Sequence, residues 1–187
     1  MTSATVEAVP DKLFTGPEAL ALGDIGPYEL IEGRITRMSP TKHVHGNYEV
    51  NFATILNNFV RPRKLGQVQG GEVGVYIHRN PDTVRAADVL FISNERLAKA
   101  APDDFLDVPP ELIVEVVSPN DTWTEIRKKV KEYLGVGVNV VLVIEPDEHT
   151  LTVFRSLSNV LELTAADTLT LEDILPGFSL PLSEFFS

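Results

Sequence analysis

The sequence predicts an α/β domain with a mixed β-sheet flanked by helices, and with β-hairpins near its N- and C-terminal ends. Three observations predict it. ELIVEVVSP (111–119) and VNVVLVIEP (138–146) are apolar runs bounded by turn residues. Between them lies an amphipathic segment, WTEIRKKVKEYL (123–134), so the order is strand, helix, strand with an expected right-handed crossover. Upstream, Tyr48, Phe52, Ile55, Leu56 and Phe59 recur at helical offsets and predict a second amphipathic helix over 45–60.

The remaining elements follow in order. Thr15, Pro17 and Glu18 read as the cap and first turn of a short helix. YELI (28–31) and RITRMS (34–39) flank Glu32-Gly33 and read as a hairpin. EVGVYIH (72–78) predicts a strand, NPDT (80–83) a turn, and AADVLFIS (86–93) an antiparallel return strand. ERLAKAAPDDFLDVPP is a loop with room for one helical turn. SPND makes the next turn, with Asn120 or Asp121 as helix cap, and that helix should end near Gly135 or Gly137. TLTVFR and VLELT form the C-terminal hairpin, and TLTLEDILPGFSLPLSEFF closes the chain as short elements over the core. Residues 1–14 read as a loose tail and 15–187 as one domain, with no repeat or linker.

Composition narrows the class. The chain has 187 residues, 43% hydrophobic and 23% charged, as in ordinary globular proteins. No apolar run approaches the ~20 residues that span a bilayer, so no membrane partner is expected. The N-terminus lacks the basic start and apolar core of a signal peptide, and there are no cysteines, which fits a reducing, cytoplasmic setting. The net charge of −11 argues against broad electrostatic capture of nucleic acid, although a local basic rim would suffice for a site. Two basic clusters exist, Arg61, Arg63 and Lys64, and Arg127, Lys128, Lys129 and Lys131; each also reads as a solvated face.

The chemistry centres on two carboxylates in core-type strands, Asp88 and Glu115. An ionised carboxylate buried alone costs several kcal/mol, so such groups are paired, protonated or metal-bound. Neighbouring strands would let the two share one cation, either a basic side chain or a hard divalent metal. Unpaired, Glu115 would strain the strand, and Glu115→Gln would then be expected to stabilise the metal-free protein. At ~100° per residue, Ile126, Val130, Tyr133 and Leu134 mark the buried face of the following helix; Lys128 points away, while Lys129 and Arg127 lie at its edges. Glu72 is a candidate third carboxylate, and His45 a candidate auxiliary group or a satisfied core histidine. No zinc-type histidine pair, phosphate loop, nucleophile elbow or cysteine nucleophile is present.

YELIEGRI, SPTKHVHG, VRAADVLFIS, ELIVEVVSPND, KVKEYLGVGV and LPGFSLPL, taken in order, resemble the bacterial "putative restriction endonuclease" family, also called domain of unknown function 820, of the PD-(D/E)XK nuclease superfamily. The resemblance runs from about residue 17 to the C-terminus. It implies a restriction-endonuclease-like fold and a Mg²⁺- or Mn²⁺-dependent endodeoxyribonuclease acting on DNA phosphodiesters. It implies metal ligation by Asp88, Glu115 and the backbone carbonyl of Val116. The superfamily motif's usual lysine would fall at Val117; the family places it four residues before the tyrosine, at Lys129 before Tyr133. The chain departs from the pattern at Ala87, where a proline usually precedes the aspartate, and at Val140-Val141, where aromatics are common. Cutting two strands implies a homodimer. Two alternatives stand beside this reading: a nuclease-fold module that binds nucleic acid or protein without turnover, and a metal-dependent hydrolase of another phosphate ester.

Overall fold

Apolar side chains on both faces of a run demand cover on both sides, and the central strands have it. The computed structural model describes residues 12–118 and 121–187, so most of the expected tail (1–11) and the cap candidate Asn120 lie outside the described residues. A short helix α1 (Gly16–Leu20), capped by Thr15 and Glu18, leads into the hairpin β1 (Tyr28–Ile31) and β2 (Arg34–Arg37). Its turn residues Glu32 and Gly33 both have positive φ, 49° and 78°, the twist that a two-residue hairpin favours. The long helix α2 (His43–Arg63) follows, then β3 (Gly66–His78) and β4 (Thr83–Ser93). Next come the turn of helix α3 (Asn94–Leu97), β5 (Leu112–Val116), α4 (Trp123–Val136) and β6 (Val140–Glu145). The C-terminal hairpin is β7 (Thr150–Phe154) and β8 (Val160–Thr164); β9 (Thr168–Thr170), β10 (Ser179–Pro181) and α5 (Leu182–Phe185) close the chain.

The main sheet runs β2-β1-β4-β5-β6-β7-β8, with β3 also paired to β4. Only β5 and β6 are parallel, joined through α4 as the apolar runs predict; the other pairs are antiparallel. Side chains alternate across β5 and β6. Leu112, Val114, Val116, Val140, Leu142 and Ile144 face α2 and the C-terminal elements, while Ile113, Val141 and Val143 face α4. Each fully buried aliphatic side chain contributes roughly 1.5–3 kcal/mol, so these two layers account for much of the drive to fold. The last strand, β8, is short and carries Val160 and Leu161 at 47% and 51% exposure. No helix among the described residues is long and apolar enough to cross a membrane.

Two local expectations are corrected, and a third, the end of α4, is met. β3 begins at Gly66, not Glu72; Gly66 to Gly70 already pair with Ser93 to Val89. Glu72 is therefore not a strand start. It sits in a bulge between Gly70 and Val73, with φ of +64° after Gly71 at +85°. The cap of α4 is Thr122 rather than Asp121. Its hydroxyl accepts from the Glu125 N–H and Glu125 reaches back, a capping box, while Asp121 accepts from the Ser118 N–H at 2.7 Å. The helix ends at Gly137, which takes the left-handed cap.

Candidate active site

Strand register brings the two acids together. The β4–β5 ladder pairs Phe91 with Leu112, Leu90 with Ile113 and Val89 with Val114. One step further along that register lie Asp88 and Glu115, where the ladder stops. There the Val116 N–H donates to Asp88 Oδ2 at 2.6 Å instead of to a backbone carbonyl. The Oδ2 atom also lies 3.3 Å from His45 Nε2, on the first turn of α2. Glu115, only 3% exposed, turns to α4: Lys129 Nζ donates to Oε2 at 2.9 Å and the Tyr133 hydroxyl to Oε1 at 2.8 Å. The adjacent acids are thus held from opposite layers of the fold.

The helical angle separates the two neighbouring lysines as expected. The Lys129 side chain is 20% exposed, with Glu29 Oε1 on β1 also 3.5 Å from its ammonium. The Lys128 side chain is 59% exposed at the rim, with Glu132 at 3.9 Å. Behind Lys129 the charges alternate. Arg85 on β4 donates from NH1 to Glu29 Oε2 at 2.6 Å and from Nε to Glu132 Oε2 at 2.7 Å, and the Ala86 N–H donates to Glu29 Oε1 at 3.3 Å. The basic residues at the end of α2 take no part. Arg63 stacks over Phe59 at 3.9 Å and donates to its carbonyl, a helix terminus finishing itself.

All of this opens on a cleft of about 540 Å³, whose walls include Thr36, Lys42 and His45 on one side and Ser118, Glu125 and Lys128 on the other. Glu72 lines it from the bulge. Nearby, Glu49 on α2 accepts from the Gly71 N–H at 3.1 Å. Glu72 Oε2 and His45 Nδ1 are buried with no hydrogen-bond partner among the described residues.

Electrostatics marks the same spot. Burial raises the Glu115 carboxyl to about 7; Asp88 adds to the rise, and Lys129 and Tyr133 oppose it. Burial would depress Lys129, but Glu115 and Glu29 reverse this and hold its ammonium above its ordinary value. Burial, then Asp88 and Glu49, push Glu72 up to about 7. Burial pulls His45 down, and its contact with Asp88 more than restores it, so its net shift is upward. A crowd of carboxylates whose pKa values rise together is short of positive charge.

That shortage tests the divalent cation implied by the sequence. The donors are oxygen, the chemistry of Mg²⁺ and Mn²⁺, and an orphaned Glu72 oxygen lines the same cleft. Among the described residues no three His, Asp or Glu side chains form a ready metal cage. The oxygen donors among the described residues therefore suit a hard ion, and they form no closed structural site.

Sequence reasoning did not find Glu29, Arg85 or Glu49. Arg85 sits in an otherwise apolar strand, a local sign that it has a partner; Glu29 is 56 residues from it and leaves no such trace.

The fold is mixed α/β, with a large, mostly antiparallel sheet flanked by helices. The chain belongs to the Uma2 family, described as "Putative restriction endonuclease", whose model matches residues 18–183. It is similar to a crystal structure titled as a putative nuclease belonging to DUF820 from Anabaena variabilis ATCC 29413, with a TM-score of 0.78 and 19% identity. That match covers 92% of this chain and 97% of the other, and it establishes the shared fold. No curated protein matches the chain.

Proposed function

We propose that this protein is a Mg²⁺- or Mn²⁺-dependent endodeoxyribonuclease that hydrolyses DNA phosphodiesters with Asp88, Glu115 and Lys129. One observation carries the reading: two buried acids from adjacent strands meet a helix-borne lysine 2.9 Å from Glu115, at the mouth of a cleft. Asp88, Glu115 and the Val116 carbonyl would hold the cation. When bound, it supplies a water of lowered pKa and offsets charge on the phosphate.

The chain's own residues do the rest. The Val116 N–H and His45 occupy Asp88 Oδ2 and fix that carboxylate in one rotamer. Tyr133 and Lys129 do the same for Glu115. Hydrolysis joins a water oxygen to phosphorus and breaks the bond to the leaving nucleoside oxygen. Lys129 is the ammonium placed to orient that water and to stabilise charge on the phosphoryl oxygens. Lys42 and Lys128 flank the cleft and would meet neighbouring phosphates. A homodimer would offer one such cleft to each strand.

A binding module without turnover is the second reading. The net charge of −11 and the acid-rich cleft repel a polyanion, and so favour the protein-binding form of it. A hydrolase for another phosphate ester is the third. Nicking of supercoiled plasmid separates the nuclease reading from both. Wild-type protein should relax the plasmid with Mg²⁺ or Mn²⁺ and not with EDTA, and Asp88→Asn should abolish it. No nicking under any metal, or undiminished nicking by Asp88→Asn, would refute the nuclease reading.

A further inference from the structure

Glu115 has two claims on it. It is the closest partner of Lys129, and on the proposed reading it must also turn lone pairs to a divalent ion. A lysine held by that carboxylate alone would lose much of its hold when the ion arrived, and its four-carbon stem would let the ammonium swing to solvent. The structure holds a second carboxylate beside the ammonium. Glu29 Oε1 lies 3.5 Å from Lys129 Nζ, and Glu29 is itself buried.

Glu29 is fastened independently of Lys129. Its Oε2 takes Arg85 NH1 at 2.6 Å and its Oε1 the Ala86 N–H at 3.3 Å. Arg85 is in turn anchored by Glu132 at 2.7 Å, one turn beyond Lys129 on the same helix. The chain of contacts runs from α4 to β4 to β1 and back to α4. It fixes the distance between Glu29 and the base of the lysine side chain without involving Asp88 or Glu115.

We infer that Glu29 is a positioning residue for Lys129, which keeps the ammonium over the cleft while Glu115 serves the metal. The inference rests on the proposed catalytic use of Lys129. Glu29 touches neither substrate nor metal in this assignment; it acts through the lysine. It also explains why a residue on a hairpin strand, far from the acid pair in sequence, is buried and charged.

The test is Glu29→Gln, which keeps size and one acceptor oxygen but removes the charge. The kcat for Mg²⁺-dependent nicking should fall roughly ten- to a hundredfold, as for partners that orient a working group, with little change in KM. In a Lys129→Ala background the same change should add no further loss, because the residue through which it acts is gone. Equal losses in both backgrounds would mean a merely structural role and overturn the inference. A second readout does not need turnover. In ¹⁵N-lysine NMR the Lys129 ammonium, assigned by its loss in Lys129→Arg, should persist in wild type when Mg²⁺ is added and should broaden in Glu29→Gln. An unchanged signal in Glu29→Gln, or one absent from wild type, would also overturn it. If wild type nicks no DNA yet the Lys129 signal responds to Glu29→Gln, the positioning stands and the nuclease reading falls. Should Glu29→Gln fail to fold because Arg85 is left with Glu132 alone, Glu29→Gln/Arg85→Gln removes one charge of each sign and carries the same measurements.

Discussion

Replacing Glu72 by glutamine should stabilise the metal-free protein at neutral and alkaline pH and change nothing in acid. Burial, then Asp88 and Glu49, raise the Glu72 carboxyl from 4.5 to about 7. The folded state thus keeps a proton that the unfolded chain releases. Wild-type stability at this site is full below about 4.5, falls as pH rises to about 7, and is then level. At ~1.4 kcal/mol per tenfold in proton affinity, the whole displacement corresponds to about 3 kcal/mol. Glu72 is only partly buried, so water screens part of this and about 1–2 kcal/mol is expected. Glutamine has nearly the same shape and no charge at any pH. Urea denaturation of both proteins in EDTA, at steps from acid to alkaline pH, gives the difference directly by linear extrapolation. A glutamine advantage that grows through the window and then plateaus is the expected curve. A difference flat in pH, or a glutamine variant less stable than wild type at alkaline pH, would refute the argument.

Three further outcomes are expected. Lys129→Ala should lower plasmid nicking by roughly a hundredfold, about 3 kcal/mol of transition-state stabilisation. Lys128→Ala should cost at most a few-fold, in a way that added salt erases. Comparable, salt-sensitive losses in both would make the helix only a basic binding face. Calorimetric titration with Mg²⁺ or Mn²⁺ should show binding that Asp88→Ala and Glu115→Ala each abolish, and unchanged binding in either would remove that residue from the site. Glu115→Gln should leave the fold intact and stabilise the metal-free protein above about pH 7 in urea melts, because burial raises the Glu115 carboxyl to about 7 against the pull of Lys129 and glutamine carries no charge to bury. A large loss of stability would instead make the Glu115–Lys129 contact a structural salt bridge.

Much of the architecture could be read from periodicity, because β5, α4 and β6 are long enough for their patterns to be unambiguous. The same reading chose Lys129 over Lys128, since a helix angle is a local property and Tyr133 and Val130 fix the buried face. Elements decided by distant partners were hidden. GQVQGG (66–71) carries three glycines and lies outside the strand expected over 72–78, yet it extends β3 because β4 offers a full ladder, and a side chain at Gly66 would strike the Ile92 carbonyl. The expected cap Asp121 gives way to Thr122, whose box with Glu125 three residues on is a local signal in the sequence. Glu29 and Arg85 could not be linked from sequence, because nothing local tells which charge 56 residues away will share a site.

The last strand of the sheet has a consequence for how the protein behaves in concentrated solution. β8 ends the sheet order with Val160 and Leu161 exposed, so its free edge is a template for another strand. If two copies met there antiparallel about the middle residue, Glu162 would face Glu162, and like charges directly opposite disfavour the pair. That single carboxylate is then a gatekeeper against edge-to-edge association. Glu162→Val would turn VLELT into an uncharged strand-forming segment at an open edge, and the resulting loss of solubility would leave the cleft on the far side of the sheet order untouched.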